Sequence, residues 1–227
     1  MEAEAFNQET NDFASRVQQL LDATLEDDES TDSSDDDSGV TSSTLDENSS
    51  YIRAQKRLLS DHCPNRCFGV LTAEFYCCPS SSGRYFAIQK SSLSVKIGYG
   101  ESTRPILRID YIHASTSYTN CHVHVVGFNN LLDYLTPRVG KNKSIPQTTD
   151  VLHVPVGGKR FRPGLEDIIE LLIRQCGVSH KKNALNVIHQ SREEWAAIQT
   201  KAVVRDRPEA AIEALESMGY KIEKIAN

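Results

Sequence analysis

The sequence predicts an α+β fold: an antiparallel β-meander packed on one face by C-terminal helices and preceded by a disordered acidic segment. Three observations predict it. Residues 68–126 are rich in β-formers, and their connections are too short for helical crossovers. Residues 163–219 carry helical periodicity instead. The first fifty residues hold fifteen carboxylates against the single basic Arg16 and have little to bury. Strands first and helices afterwards, rather than in alternation, is the order of an α+β domain.

In chain order, Phe13, Val17, Leu20, Leu21 and Leu25 form an i, i+4, i+7, i+8 stripe that predicts a short amphipathic helix over 10–25. Glu26 to Ser50 follows with Val40 and Leu45 as its only aliphatic residues, and it reads as a disordered linker. The domain boundary is expected near Tyr51, giving an acidic segment 1–50 and a single α+β domain 51–227. Tyr51 to about Ser60 reads as a short basic helix. Strands are then predicted over Phe68–Cys78 and Tyr85–Lys90, joined by a turn at Pro79-Ser-Ser-Ser-Gly83. Leu93, Val95, Ile97 and Tyr99 alternate with Ser94, Lys96 and Gly98, the period-2 signature of a half-buried strand. Pro105–Ile112 and Cys121–Val126 complete the meander.

Phe128–Leu135 reads as a helical turn, Lys141–Asp150 as a polar loop and Val151–Val156 as a short strand. Leu165, Ile168, Ile169, Leu172, Ile173 and Cys176 mark one helical face, with Pro163 at the first turn, Glu166 and Asp167 at the positive end of the dipole, and Gly177 at the C′ position. Asn183 to about Asp206 predicts a second helix with Leu185, Ile188, Trp195, Ile198 and Ala202 inward. Asp206-Arg-Pro-Glu209 resembles a capping box that opens a third, with Ile212, Leu215 and Met218 inward. Tyr220–Ile225 alternates as an edge strand would.

The formal charge of −6 hides two halves of opposite sign, because residues 51–227 carry 24 of the 25 Lys and Arg against 16 Asp and Glu, a formal +8. A basic body tied to an acidic segment predicts a surface for RNA or DNA, with the acidic segment as an intramolecular competitor. Roughly 170 residues are enough for a core without disulfide or metal staples. No run of about 18 apolar residues is present for a membrane span, and Met1-Glu2-Ala3-Glu4 lacks the layout of a signal peptide, so the expectation is a cytoplasmic bacterial protein with no membrane partner. In that compartment Cys63, Cys67, Cys77, Cys78, Cys121 and Cys176 are expected as thiols.

The densest set of functional side chains lies on the Pro105–Val126 hairpin. Arg108 and Asp110 share one face of their strand, and His122 and His124 share one face of theirs. If Leu107, Ile109, Tyr111, Val123 and Val125 form the apolar side, the four polar residues cluster on the sheet surface away from the helices, with Lys96 pointing the same way. Such a cluster could cleave RNA without a metal, one imidazole as base on a 2′-hydroxyl, the other as acid on the leaving oxygen, and Arg108 holding the phosphorane. Alternating polar residues are also what any wet sheet face shows. A metal reading uses His122-x-His124 completed by Asp110 or His113, a donor set that Zn, Fe or Ni accepts. Cys63-x3-Cys67 with Cys77-Cys78 could approximate a thiolate zinc site, although the spacing is not that of a zinc ribbon. The expectation is no cofactor and no metal.

Gly157 and Gly158 precede Lys159, Arg160 and Arg162 at the start of a helix, a phosphate-contacting arrangement. The same cations can equally serve as partners of Glu166 and Asp167. Arg53, Lys56, Arg57, Arg66, Lys181 and Lys182 add to the expected basic surface. Aromatic residues interleaved for base stacking are not evident. A further class of function is a protein-interaction module of a defence or mobile-element system, docking through the 10–25 helix or the C-terminal helices.

The segment Leu152-His-Val-Pro-Val-Gly-Gly-Lys-Arg-Phe-Arg-Pro-Gly-Leu-Glu-Asp167, with Trp195 and Val204-Arg-Asp-Arg-Pro-Glu-Ala210, resembles a group of uncharacterised actinobacterial proteins over about residues 84–222. That resemblance implies no activity. Arg108-x-Asp110 with His122-x-His124 is faintly similar to small RNase-like toxins of the TumE type over about twenty residues, which implies RNA as the substrate class.

Overall fold

The protein is described from a computed structural model covering residues 2–28, 38–46, 48–60, 63–98, 104–116, 119–125, 154–157 and 160–223, with backbone alone at 63–66 and 154–155. Helix α1 (Ala3–Thr24) is followed by strands β1 (Gly39–Asp46), β2 (Ser49–Ser60), β3 (Cys63–Pro79), β4 (Phe86–Ile97), β5 (Arg104–Ile112), β6 (Cys121–Val125) and the two-residue β7 (Val154–Pro155). Helices α2 (Leu165–Cys176), α3 (Ala184–Asp206) and α4 (Pro208–Ser217) close the chain. The strands form one sheet in sequential order, every neighbour antiparallel, as the meander expectation requires. The expected turn at Phe128–Leu135, the loop Lys141–Asp150, His153 and Lys159 lie outside the described residues.

The sheet begins earlier than the sequence implies. Tyr51–Ser60 is not a helix but most of β2, paired with β1 on one side and β3 on the other. Its Ala, Gln, Lys, Arg and Leu content favours helix. The pairing overrides that preference, and Ile52, Ala54, Lys56 and Leu58 alternate inward. Lys56 in an inward position disguised the alternation. Phe86–Ile97 is likewise one strand rather than two, because Ser91 and Ser92 continue the ladder. Gly69 lets β3 approach β4 closely, since a Cβ there would run into the Lys96 carbonyl.

The boundary at Tyr51 does not hold. Residues 39–46 pair with β2, and α1 packs on the apolar sheet face. Phe6, Val17, Leu20, Leu21 and Leu25 are buried, Phe13 meets Phe75 edge-on at 5.0 Å, and Phe6 lies 6.0 Å from Phe86. The helix starts seven residues before the predicted start at Thr10, and its apolar stripe is buried inside the molecule rather than offered to a protein partner. Its end is sewn in by Lys181 N–H donating to the Thr24 carbonyl and Glu26 N–H donating to the Ser179 carbonyl, at 2.9 and 3.5 Å.

Lys56 is buried and ion-pairs with Asp27, with Asp22 3.6 Å away; Asp27 also reaches Lys181 at 3.3 Å, and Arg57 Nε lies 2.9 Å from Asp28. These acids neutralise basic residues that sequence reasoning assigned to a polyanion surface.

Helix α2 matches its predicted face except at its last member: Leu165, Ile168, Ile169, Leu172 and Ile173 are buried and Cys176 is exposed, the Gly164 N–H donates to Asp167 at 2.7 Å, and Gly177 takes the left-handed conformation. In α3, Ile188 and Ala202 are buried but Ile198 is exposed. Helix α4 exists as expected, yet Ile212, Leu215 and Met218 are exposed rather than inward. Residues 220–223 are not a strand. No helix among the described residues is long and apolar enough to cross a membrane.

Two outcomes test this packing. Each of Phe6, Leu20, Leu21 and Leu25 contributes about 2 kcal/mol by burial, comparable in sum to a typical domain stability, so deleting residues 1–50 should abolish cooperative thermal unfolding and Leu21→Ala should cost about 3 kcal/mol in urea denaturation. A stable, folded 51–227 fragment would contradict it. The hydrogen bond from Lys56 holds the Asp27 carboxyl below its ordinary value of 3.8. A depressed carboxylate stabilises the fold above its unfolded pKa, and the contribution is lost as pH falls through the folded value. With Asp27 well exposed, Asp27→Asn should cost about 0.5–1 kcal/mol at pH 7 and almost nothing near pH 2, read from denaturation midpoints at the two pH values.

Candidate functional site

The register of the sheet lines up two polar rows on the face opposite the helices. One runs Arg53, Glu74, Ser92, Asp110, His122 across β2 to β6, and the next runs Gln55, Thr72, Ser94, Arg108, His124. The intervening residues Leu93, Ile109 and Val123 face the core and its helices. Alternation therefore delivers Arg108, Asp110, His122 and His124 to one spot, as the hairpin predicts.

The four side chains touch. Arg108 Nε lies 2.9 Å from Asp110 Oδ2, and Arg108 Nη2 donates to His124 Nε2 at 3.2 Å. His124 Nε2 and His122 Nε2 lie 3.3 and 3.9 Å from the same Asp110 oxygen. The imidazole rings meet edge-on with centroids 5.0 Å apart. Ser92 Oγ donates to Asp110 Oδ1 at 2.7 Å, and His122 Nδ1 faces the Thr119 carbonyl at 3.3 Å. The expectation of a solvent-facing cluster is only half met: Arg108 is 45 % exposed, whereas His122 and His124 are each 3 % exposed.

This geometry bears on the chemistry. Metal-free cleavage of RNA needs an acid and a base on opposite sides of a phosphate. Here both Nε2 atoms converge on one carboxylate oxygen and are closed from bulk solvent. The three groups Asp110, His122 and His124 present ligand atoms within 4.8 Å of one another, so among the described residues they are a group able to hold a metal ion. His113 is not the third member, because its Nδ1 contacts the Tyr111 hydroxyl at 3.1 Å and Tyr111 belongs to the core-facing side.

Among the described residues of the 157–162 loop, the two arginines have protein partners. Gly157 turns at φ +59°, where a Cβ would meet the Phe161 carbonyl, and folds the loop back on itself. Arg162 is buried, its guanidinium 3.7 Å from the centroid of Tyr111 and 5.0 Å from that of Trp195. Both Arg160 Nε and Nη2 donate to Asp206 Oδ2, at 3.0 and 2.8 Å. Arg162 thus fastens sheet to helix, and Arg160 fastens the loop to α3. The acidic partners of α2 are used elsewhere, with Arg192 spanning Asp167 and Glu170 and the Ser191 hydroxyl donating to Glu166.

The four-thiolate reading fails on distance and on charge. Cys67 and Cys77 sit ten residues apart on one continuous strand, roughly 30 Å. Burial pushes the Cys77 thiol up to about 12, away from the thiolate a metal requires.

Sequence reasoning missed three contributors. Ser92 was assigned to a gap between strands, the Thr119 carbonyl has no side-chain signature, and Tyr51 with Tyr76 pair only through the β2–β3 register, ring centroids 4.9 Å apart. The period-2 spacing of Ser92 from Ser94 was the available signal.

Since Arg162 is held between two rings, Arg162→Ala should lower stability by about 2 kcal/mol and Arg162→Lys should recover little of it, because a lysine cannot stack. Urea midpoints decide this, and an unchanged midpoint in Arg162→Ala would refute the role.

Comparison of the chain with protein-family models, with curated proteins and with solved structures found no match.

Proposed function

We propose that the polar face of the sheet binds single-stranded nucleic acid, RNA in the first instance. The observation that carries the reading is an aromatic pair flanked by cations on the same face as the Arg108 cluster. Tyr76 is exposed and pairs with Tyr51, and Lys90 Nζ lies 5.4 Å from the Tyr76 centroid. Tyr51 donates its hydroxyl to Glu74 at 2.5 Å, which fixes the ring. Two strands on, Arg108 offers its exposed guanidinium about 10 Å across the sheet and about 13 Å along it from Tyr76, a diagonal of roughly 17 Å over which a single strand can run. Exposed aromatics on a sheet stack bases, and cations beside them track the backbone.

The competitor role of the acidic segment fits the same scheme. Asp27 and Asp28 already pair with Lys56, Lys181 and Arg57, so acidic residues of this segment do engage bases of the body. Because α1 belongs to the core, its test is substitution rather than deletion.

Fluorescence anisotropy of labelled single-stranded RNA against the full chain, at low and moderate salt, is the experiment. Salt-dependent binding is expected, with Tyr76→Ala weakening it about tenfold and Lys90→Ala lowering the salt slope by about one phosphate. Replacing Asp32, Asp35, Asp36 and Asp37 by Asn should tighten binding. If folded Tyr76→Ala and Lys90→Ala proteins bind as the parent does, this face is not the interface.

A further inference from the structure

We propose that Asp110, His122 and His124 form a mononuclear site for a divalent transition-metal ion, with Zn2+ the best-matched ion. The inference rests on ligand geometry alone and does not depend on nucleic-acid binding.

A metal bonded at about 2.0–2.2 Å to nitrogen and oxygen sets tetrahedral ligand edges of roughly 3.3–3.5 Å. The His124–Asp110 edge is 3.3 Å and the His122–Asp110 edge 3.9 Å. The three ligand atoms lie within 4.8 Å of one another, so the imidazoles would close toward each other as an ion entered. Two imidazoles and one carboxylate are a borderline donor set that suits Zn2+, Co2+, Ni2+ or Fe2+, and not the all-oxygen shell that Ca2+ and Mg2+ prefer.

The neighbours orient each ligand. A carbonyl only accepts, so His122 meets Thr119 through Nδ1–H, which leaves Nε2 as the ring nitrogen facing Asp110. A guanidinium only donates, so His124 Nε2 presents a lone pair in its contact with Arg108. The Ser92 hydroxyl holds Asp110 Oδ1 and leaves Oδ2 as the oxygen on which both imidazoles converge. Two imidazole nitrogens converging on one carboxylate oxygen are the donor arrangement of a site for a single cation.

Arg108 supplies that positive charge through the same two atoms, Asp110 Oδ2 and His124 Nε2. Guanidinium and metal ion therefore compete, and an exposed Arg108 can swing outward when the ion enters. Three protein ligands leave one position open, for water or an anionic oxygen of a ligand that Arg108 would then flank.

The test titrates the full chain with ZnCl2 by calorimetry and with CoCl2 by visible absorption. The site predicts one ion per chain and tetrahedral Co2+ bands without a thiolate charge-transfer band. Affinity should fall at least tenfold in Asp110→Asn and in His124→Ala, and should rise severalfold in Arg108→Ala, where the competitor is gone. No saturable binding, a thiolate spectrum, or unchanged affinity in His124→Ala overturns the site. Should the buried variants fail to fold, the parent Co2+ spectrum and Arg108→Ala still decide, and Arg108→Ala without tighter binding overturns the competition.

Discussion

The register of β4, β5 and β6 is the constraint on which the rest depends. It sets Ser92 opposite Asp110 and Asp110 opposite His122, and one residue pair along it sets Ser94, Arg108 and His124 in line. It is locked by the other face, where Leu93, Ile109, Tyr111 and Cys121 pack beneath the helices. A slip of one residue would drive two imidazoles and a carboxylate into that core and expose the aliphatic row. Core packing and site assembly are thus one selection made twice, on opposite sides of the same strands.

The acidic N-terminal residues have a structural use that composition conceals. Helix α1 closes the apolar face, and the chain leaving it sets Asp27 and Asp28 against Lys56 and Arg57. A buried lysine without such a partner would carry the full desolvation cost of its charge. Part of the charge asymmetry that separates the two ends of the sequence is therefore spent inside the fold. The polar sheet face carries other cations, Lys90 and Arg108 among them, beside the Tyr51–Tyr76 pair.

The loop between β7 and α2 has a comparable role. Arg162 is taken up by Tyr111 and Trp195, and Arg160 by Asp206. Tyr111 lies on β5, one residue from Asp110 and on the opposite face. The loop therefore braces from behind the strand that presents the site, and the glycine at 157 makes the turn tight enough to do so.

The sequence by itself determined the α+β class, the sequential meander, the α2 face from Leu165 to Ile173 and the grouping of Arg108, Asp110, His122 and His124. All of these follow from periodicities of 2 or 3.6 residues, which are local properties of a chain. Tertiary structure alone decided that Tyr51–Ser60 is a strand, because a lysine in its inward row finds Asp27 only once α1 has docked. It alone decided that the α1 stripe faces inward and the α4 stripe outward, since periodicity reports that a face is apolar and not what covers it. It decided too that the histidines are buried and converge on one carboxylate oxygen. Spacing brings side chains to the same side of a sheet; which atoms meet depends on register across three strands and on partners such as Ser92 and the Thr119 carbonyl, contacts between residues distant in the chain that no local pattern encodes.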